Sequence, residues 1–318
     1  MENNINIFFK SKTLLEFANN LKKSGLKQAY LFYSNDQTKN FAFCKMLSMF
    51  EFCKTHDCCF NCEKCKKVMD DNCVDFLVYP KNQTLMVDDI NEIINSCYVL
   101  PLENECKVYV LNNFDQSSVA VQNKFLKTLE EPPKNVIFML NATKPEMVLE
   151  TIKSRCEKIT LPNFEKEELS VLLENRQIIP SILENCGGDV GNYLKMEESG
   201  FDEDFKFCLN MLKNMKASSQ ILYYSSQILK TNHIENFFLS MMSIFKDMLI
   251  FKTCKSKIVN VSYRQEITDL SEDFSKKAIE EILNNMIKSN KELNFNTQTN
   301  LVIDCVLIDI LEEKHKWN

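Results

Sequence analysis

Four cysteines with short intervals between them form the clearest group of side chains that could do chemistry. They are Cys53, Cys59, Cys62 and Cys65. Two of the intervals contain two residues, which is the tight-turn spacing of structural zinc modules. Cys58 is an alternative to Cys53 or Cys59, and His56 is a possible substitute ligand. Four thiolates close a tetrahedron around zinc and leave no open position, so the predicted role of this zinc is structural.

Two other interpretations of the cysteines have to be weighed, because the chain contains 14 of them. A cysteine outside the group can simply be a small buried hydrophobe. This interpretation applies to Cys44, Cys97, Cys186, Cys208, Cys254 and Cys305. Disulfides are the second alternative, but the sequence shows no signal peptide and no apolar run long enough to span a membrane. We therefore expect a cytoplasmic protein with reduced thiols.

Arg155 is the second feature with a possible chemical role. It lies within the segment TIKSRC at residues 151–156. A guanidinium group is always charged and can bind γ-phosphate oxygens with two N–H groups, which stabilises the charge of a phosphoryl-transfer transition state. The structural alternative is that Arg155 caps a helix predicted at 147–153 or forms a surface salt bridge. The arginine alone does not decide between these interpretations.

A strand, a helix and a second strand precede Arg155. Residues 119–131 carry apolar or small side chains at 121, 125, 126 and 129, which form one face of a helix. Prolines at 132 and 133 end this helix, because proline lacks the N–H group and clashes with the preceding turn. The apolar runs 108–111 and 136–140 do not alternate, as in strands buried on both faces. Together they predict a right-handed crossover unit of a parallel sheet.

Two motifs of this region carry a resemblance to a known family. The segment LKTLEEPP at residues 126–133, followed by TIKSRC, resembles the bacterial clamp-loader subunits of the AAA+ class, over roughly residues 25–165. The resemblance implies an AAA+ (RecA-like) domain that carries a zinc module at the position of the four cysteines. It also implies that Arg155 is an arginine finger, which acts in trans on ATP bound by the neighbouring subunit.

The segment after the first predicted strand, 29–33, is where this family has its phosphate-binding loop. It reads SNDQTKN from Ser34 to Asn40. A working loop needs glycines, so that successive backbone N–H groups surround the phosphates, followed by lysine and a serine or threonine. This segment has no glycine and places Asn40 where the magnesium-binding hydroxyl is expected. Lys39 resembles the loop lysine, but a lysine without the glycine cradle is more often a solvated surface charge.

Two further positions depart from the pattern of the active family members. Asn112 and Asn113 stand where those members carry Asp-Glu, and a neutral amide neither holds magnesium firmly nor acts as a general base. Gly191, in the segment GDVGNYL at residues 188–194, stands where the family's lid arginine contacts the nucleotide in cis. A chain that keeps the trans arginine and lacks these cis elements resembles the delta-prime class. We therefore expect neither ATP nor magnesium in its own site.

The predicted fold class is α/β plus all-α, in three domains. Residues 1–163 form the AAA+ parallel-sheet domain, with the zinc module inserted at about 53–65, and residues 164–204 form a small helical lid. Residues 205–318 show only helical patterns. The helices are predicted at 205–215, 218–230, 234–252, 275–290 and 297–314. The segments 245–250 and 294–303 resemble the helical collar that joins clamp-loader subunits, while an ordinary helical bundle is the alternative.

The formal net charge of −6 argues against a chain that grips duplex DNA through its overall field. The expected function is that of a delta-prime-like stator of the DNA polymerase III clamp loader. It would offer Arg155 to an ATPase subunit of the gamma/tau type and face a clamp-opening, delta-like subunit, with indirect contact to the sliding clamp and to primer-template DNA. The alternatives are an active or weakly ATP-binding gamma/tau-like subunit that uses Lys39, and a zinc-containing, AAA+-derived interaction module.

Overall fold

The computed structural model describes residues 2–55, 58–173, 176–230, 233–254, 258–293 and 298–317. The chain divides into two compact units. The first consists of Met1–Asn175 and Gly188–Gly191, and the second of Arg176–Gly187 and Asn192–Asn318. His56 and the start of the segment 294–303 lie outside the described residues. The three domains at 1–163, 164–204 and 205–318 stay a prediction.

A five-stranded sheet is the centre of the first unit. Its strands are β1 (Ala29–Tyr33), β2 (Phe76–Tyr79), β3 (Lys107–Leu111), β4 (Val136–Ala142) and β5 (Glu157–Thr160). They lie in the order β2-β3-β4-β1-β5, and every neighbouring pair is parallel. Every residue of β3 and β4 is buried, as their unbroken apolar runs predict for a parallel sheet. The strands predicted at 29–33, 108–111 and 136–140 are confirmed.

Eight helices accompany the sheet in the described part of the first unit. They are α1 (Glu2–Phe8), α2 (Lys12–Lys23), α3 (Gln37–Phe52), α4 (Glu63–Met69), α5 (Val87–Cys97), α6 (Val119–Glu130), α7 (Glu150–Lys153) and α8 (Lys166–Leu172). The Ser118 hydroxyl caps α6 by accepting from Val121 N–H at 3.3 Å. Phe125 of this helix packs edge-on against Phe138 of β4, with ring centroids 5.2 Å apart. The helix predicted at 119–131 is confirmed.

The segment before Arg155 differs from the helix predicted at 147–153. A 3₁₀ turn covers Pro145–Met147, and the α-helix α7 begins only at Glu150. Val148, with φ −89° and ψ 132°, has an extended backbone, and its side chain is only 2% exposed. Burial of Val148 in the core of the sheet therefore interrupts the helix, and a single turn remains before Arg155.

All the regular secondary structure among the described residues of the second unit is helical. Its helices are α9 (Pro180–Asn185), α10 (Val190–Glu198, which begins in the first unit), α11 (Phe201–Asn214), α12 (Ile221–Lys230), α13 (Ile234–Cys254), α14 (Arg264–Glu272), α15 (Lys276–Leu293) and α16 (Thr299–Trp317). The five predicted helices correspond to α11, α12, α13, α15 and α16, whereas α14 was not predicted. Among the described residues, no helix is both long and apolar enough to cross a membrane.

Candidate functional site

The carboxyl ends of the parallel strands are where a nucleotide pocket is expected in an α/β sheet. The degenerate loop follows β1 at this edge and forms the start of α3 instead of a phosphate cradle. The Ser34 hydroxyl donates to the Asp36 carbonyl at 2.8 Å, and Asp36 caps the helix. Its Oδ1 atom accepts from Thr38 N–H at 2.8 Å and from Lys39 N–H at 3.3 Å. Two N–H groups that could face a phosphate are therefore already bonded to a carboxylate.

Lys39 is completely buried, so the interpretation as a solvated surface charge is wrong. Its Nζ atom lies 3.3 Å from Asp189 Oδ2 and 3.2 Å from Asn163 Oδ1, and both partners belong to the same unit. The ammonium group also lies over the Phe164 ring, 5.5 Å from its centroid. A buried ammonium needs a counter-charge and hydrogen-bond acceptors, and these groups supply both. Lys39 is thus occupied by protein groups.

Of the two asparagines predicted at the lost metal site, Asn112 takes part in a neutral hydrogen-bond network. Asn112 Oδ1 accepts from Asn141 Nδ2 at 2.7 Å and from Gln37 Nε2 at 3.4 Å. Asn113 has a φ of 52°, a left-handed conformation that asparagine tolerates better than most residues. Asn40 is buried and donates from Nδ2 to the Ala142 carbonyl at 3.2 Å. None of these three asparagines supplies the negative charge that a magnesium site requires.

Gly191 lies directly against the capping residue Asp36. A Cβ atom at position 191 would be 2.8 Å from the Cγ atom of Asp36, so any larger side chain has to displace that carboxyl group. Burial, followed by repulsion from Asp189, raises the pKa of Asp36. The lid arginine of the active family members therefore has no room at this position unless Asp36 moves.

Arg155 lies at the amino ends of the strands, whereas this pocket lies at their carboxyl ends. It comes two residues before β5, whose first residue, Glu157, pairs with Tyr30 of β1. The strand rises about 10 Å from Glu157 to Thr160, because each residue of a strand adds about 3.3 Å. Arg155 and the loop that follows β1 are thus separated by at least the length of β5. The exposed Arg155 side chain pairs with Glu130, and its Nη1 atom donates to the Thr151 carbonyl at 2.7 Å.

The four predicted cysteine ligands come together in the structure. Their sulfur atoms all lie within 4.8 Å of one another, and this is the group that could hold a metal ion among the described residues. Cys53 Sγ lies 3.5 Å from Cys59 Sγ and 3.9 Å from Cys62 Sγ. Zinc–sulfur bonds of about 2.3 Å imply sulfur–sulfur distances of about 3.8 Å in a tetrahedron. The spacing of the thiols therefore fits zinc, and Cys58 is not part of the group.

The end of one helix and the start of the next hold this cluster. Cys53 ends α3, Cys62 caps the start of α4, and Cys65 lies in the first turn of α4. Backbone N–H groups of Cys62 and Cys65 donate to the sulfur atoms of Cys59 and Cys62, at 3.4 and 3.5 Å. Such N–H groups stabilise thiolates. Because these turns require the short spacing of the cysteines, that spacing in the sequence predicts the cluster.

The thiols of the cluster differ in how readily they ionise. Burial opposes ionisation of Cys53, but hydrogen bonds from Thr55 and Cys59 outweigh it and lower the pKa of Cys53 to about 5. Backbone N–H groups of Cys62 and Asn61 lower the pKa of Cys59. Burial, with the neighbouring Cys62 and Cys53, raises the pKa of Cys65. A metal ion that binds here would therefore displace a proton from Cys65.

The cysteines outside the cluster follow the prediction only in part. Cys44, Cys97, Cys186 and Cys208 are buried, as expected for small hydrophobic residues. Cys254 and Cys305 are exposed, so the same interpretation is wrong for them. Both lie on helices of the second unit, and the helical pattern alone did not show which face of those helices is covered.

Three residues that matter at these sites were missed by the sequence interpretation. Asp36 could have been found, because an aspartate just before a helical segment is a typical N-cap. Asp189 lies 150 residues from Lys39 along the chain, and no local signal connects the two. Glu130 was noticed only as part of a motif, and its pairing with Arg155 depends on how α6 and α7 pack.

The first half of the chain matches a family model. Residues 9–165 match the model described as "DNA polymerase III, delta subunit". The chain is 23% identical to DNA polymerase III subunit tau of Bacillus subtilis, over 94% of this chain and 59% of that protein. It is 25% identical to subunit delta' of the same organism, over 59% of this chain and 58% of that protein.

Two further similarities involve a relative from another organism and a solved structure. Subunit gamma of Buchnera aphidicola from Acyrthosiphon pisum is 33% identical over 40% of this chain and 36% of that protein. The crystal structure of a gamma subunit-related protein from Thermotoga maritima aligns over 95% of this chain and 99% of that chain, with 17% identity and a TM-score of 0.41. A similarity this low in the structural alignment leaves the assignment to the sequence matches.

The parallel sheet and its accompanying helices form an α/β unit, and the second unit is built of helices, which agrees with the fold class predicted from the sequence. Residues 9–165, the segment that matches the family model, belong to the family of DNA polymerase III clamp-loader subunits, and the sequence relatives are DNA polymerase III subunits as well. The chain spans little more than half the length of the tau and delta' subunits of B. subtilis that it matches.

Proposed function

We propose that this chain is a delta-prime-like subunit of the clamp loader, which binds no ATP of its own and supplies Arg155 to ATP bound by a neighbouring subunit. The observation that carries the proposal is the burial of Lys39 in an ion pair with Asp189. The lysine that would contact the phosphates has an internal counter-ion. The adjacent N–H groups are bonded to Asp36.

Charge opposes entry of a nucleotide into this pocket. A triphosphate that took Lys39 from Asp189 would break a buried ion pair and place further negative charge beside that carboxylate. Breaking a buried ion pair in this way costs about 3–5 kcal/mol. The neutral amides of Asn40 and Asn112 would not bind a magnesium ion that could offset the repulsion. The pocket is therefore expected to stay closed at ordinary ATP concentrations.

The position of Arg155 supports an action in trans. The residue lies at the amino ends of the strands, away from its own pocket at their carboxyl ends, and its side chain is exposed. A guanidinium group in such a position can meet a nucleotide only if another molecule brings one. In the proposed complex this molecule is the gamma/tau-like ATPase subunit, while a delta-like subunit that opens the sliding clamp lies on the other side.

The last helix supports a role for residues 205–318 as a collar. Leu301, Cys305 and Ile308 are exposed at intervals of four and three residues along α16, which places them on one helical face. The opposite face, including Ile303 and Leu307, is buried. An exposed apolar stripe on a helix fits contact with helices of other subunits. Contacts with the sliding clamp and with primer-template DNA would then be indirect.

We also propose that the four-cysteine cluster binds structural zinc. Its donor atoms are four sulfurs with near-tetrahedral spacing, and this donor set strongly favours zinc. The ion would connect the end of α3 with the start of α4 and would supply no open position for a substrate.

The deciding experiment is Arg155→Ala in the reconstituted clamp loader. Hydrolysis at the site that Arg155 reaches is expected to fall on the order of 10³-fold, as for other arginine fingers. Arg176→Ala is the matched control, because Arg176 also forms an ion pair with a glutamate near the surface. Assembly is checked by size-exclusion chromatography. Unchanged DNA-stimulated hydrolysis in an intact complex would refute the finger role.

An active or weakly ATP-binding gamma/tau-like subunit is the second candidate, because the alignment with tau extends over 94% of the chain. Titration calorimetry of the purified chain with ATP and magnesium separates the two. The delta-prime-like proposal expects no detectable heat of binding. Micromolar binding would favour the second candidate.

A further inference from the structure

Arg155 is held in place by three groups of its own unit, of which the Ser154 hydroxyl oxygen, which accepts from Nη1 at 3.4 Å, is the most distant. Its Nη2 atom donates to Glu130, the last residue of α6, and its Nη1 atom donates to the Thr151 carbonyl at 2.7 Å. The Arg155 and Glu130 side chains retain 32% and 47% of their exposure, so solvent reaches both. The ion pair is therefore accessible from outside the unit.

The contacts of Arg155 with Thr151 and with Glu130 would respond differently to an incoming triphosphate. The Thr151 carbonyl belongs to the last turn of a short helix and carries only a partial charge, so it can remain bonded while Nη2 changes partner. Glu130 carries a full negative charge, and a phosphate at Nη2 has to displace it or lie beside it. A phosphate has more negative charge than a carboxylate and offers three acceptor oxygens, which favours the exchange.

We propose that Glu130 is a latch, which holds Arg155 against its own domain until a nucleoside triphosphate arrives from the neighbouring subunit. This inference rests on the proposed finger role of Arg155. The latch keeps the guanidinium group oriented while the neighbouring site is empty, and it weakens nucleotide binding there because the ion pair must first be broken. Glu130 is thus a positioning residue that acts through Arg155 and does not touch the nucleotide.

The test uses the full chain in the reconstituted complex with its ATPase partner. Wild type is compared with Glu130→Gln, Glu131→Gln and Arg155→Ala, and binding of ATPγS with magnesium is measured at low salt and at about 0.5 M salt. Glu130→Gln is expected to tighten binding about two- to fivefold at low salt, an effect typical of an exposed ion pair. The difference should vanish at high salt, because exposed charges are screened. Glu131→Gln removes the same charge at the next, exposed residue and should change nothing.

Each other outcome is decisive. Weaker binding or slower hydrolysis after Glu130→Gln would overturn the latch, because Glu130 would then support the finger. Equal affinity of wild type and Glu130→Gln at both salt concentrations would overturn it as well. Arg155→Ala distinguishes the two levels of the argument. If it leaves hydrolysis unchanged, the finger role fails and the latch falls with it; if it abolishes hydrolysis while Glu130→Gln behaves like Glu131→Gln, the latch alone fails.

Discussion

The nucleotide pocket and the surface around Arg155 use ion pairs in opposite ways. In the pocket, the side chains of Lys39 and Asp189 are 0% and 1% exposed and bind each other. At the amino ends of the strands, Arg155 and Glu130 form an ion pair that solvent reaches. Breaking a buried pair costs about 3–5 kcal/mol, whereas an exposed pair contributes about 0.2–1 kcal/mol. A buried ion pair is therefore a fixed part of the fold, whereas a residue of an exposed ion pair can exchange its partner for another ligand.

The largest effect is expected at the cysteine cluster, because its proposed role is entirely structural. Cys62→Ser should lose the bound metal, while Cys58→Ser, at a thiol outside the group, should keep about one zinc ion per chain. Metal analysis of dialysed protein measures both. Zinc should also dissociate as pH falls, because thiolates must take up protons to release the metal. Equal zinc loss in both variants would mean that Cys58 is a ligand.

The next largest effect is expected from Asp189→Ala, which leaves the Lys39 ammonium buried without its counter-charge. The free energy of unfolding should fall by about 3–5 kcal/mol in urea titrations. Asp88→Ala is the control, since Asp88 is exposed in the first turn of α5 and should cost less than about 1 kcal/mol. The pair of changes Lys39→Met and Asp189→Leu should restore most of the lost stability, because apolar groups can replace a buried ion pair. A loss no larger than that of the control would break the comparison.

Gly191→Ala tests how tightly the pocket is closed. The new Cβ atom would lie 2.8 Å from Asp36 Cγ, and Asp36 is held by its bonds to the start of α3. Overpacking of this kind should cost about 1–3 kcal/mol of stability, measured by urea unfolding. In an Asp36→Ser background the same change should cost less, because the smaller side chain leaves room for the Cβ atom. Equal costs in both backgrounds would contradict the predicted collision.

The pH dependence of stability tests the charge state of the pocket. The pKa of Asp36 is raised above 3.8 by burial and by Asp189, so the folded state binds this proton more tightly than the unfolded state. Its contribution to stability therefore declines as pH rises from 3.8 through the raised pKa. Asp36→Asn removes that decline, and the variant should gain on the wild type across this window in urea titrations at stepped pH. A difference independent of pH would contradict the assignment.

The smallest effect on stability is expected from Arg155→Ala. Its ion pair with Glu130 is exposed, so its removal should lower the free energy of unfolding by less than about 1 kcal/mol. The same substitution is expected to have a large effect on hydrolysis in the complex, and this contrast would sharpen the distinction between the two regions. A stability loss as large as that of Asp189→Ala would instead make Arg155 a structural residue.

Several features of the fold could be read from local patterns. The unbroken apolar runs identified β3 and β4, and the two prolines after Glu131 identified the end of α6. The helix α14 was missed because it is short and carries few apolar residues. The cysteine spacing was sufficient to find the cluster, because all four ligands lie close together in the chain and depend on local turns.

The sequence by itself determined what the pocket lacks. No glycine occurs in the loop after β1, and neutral amides replace the expected acids at Asn112 and Asn113, because these are properties of residue type at short spacing. Only the tertiary structure decided what fills the pocket and what holds the arginine. Lys39 meets Asp189 across 150 residues, and Arg155 meets Glu130 across 25, because packing of the elements brings them together. Burial makes the first pair part of the fold, whereas exposure allows the second pair to exchange partners. Neither degree of burial could be predicted from the local sequence.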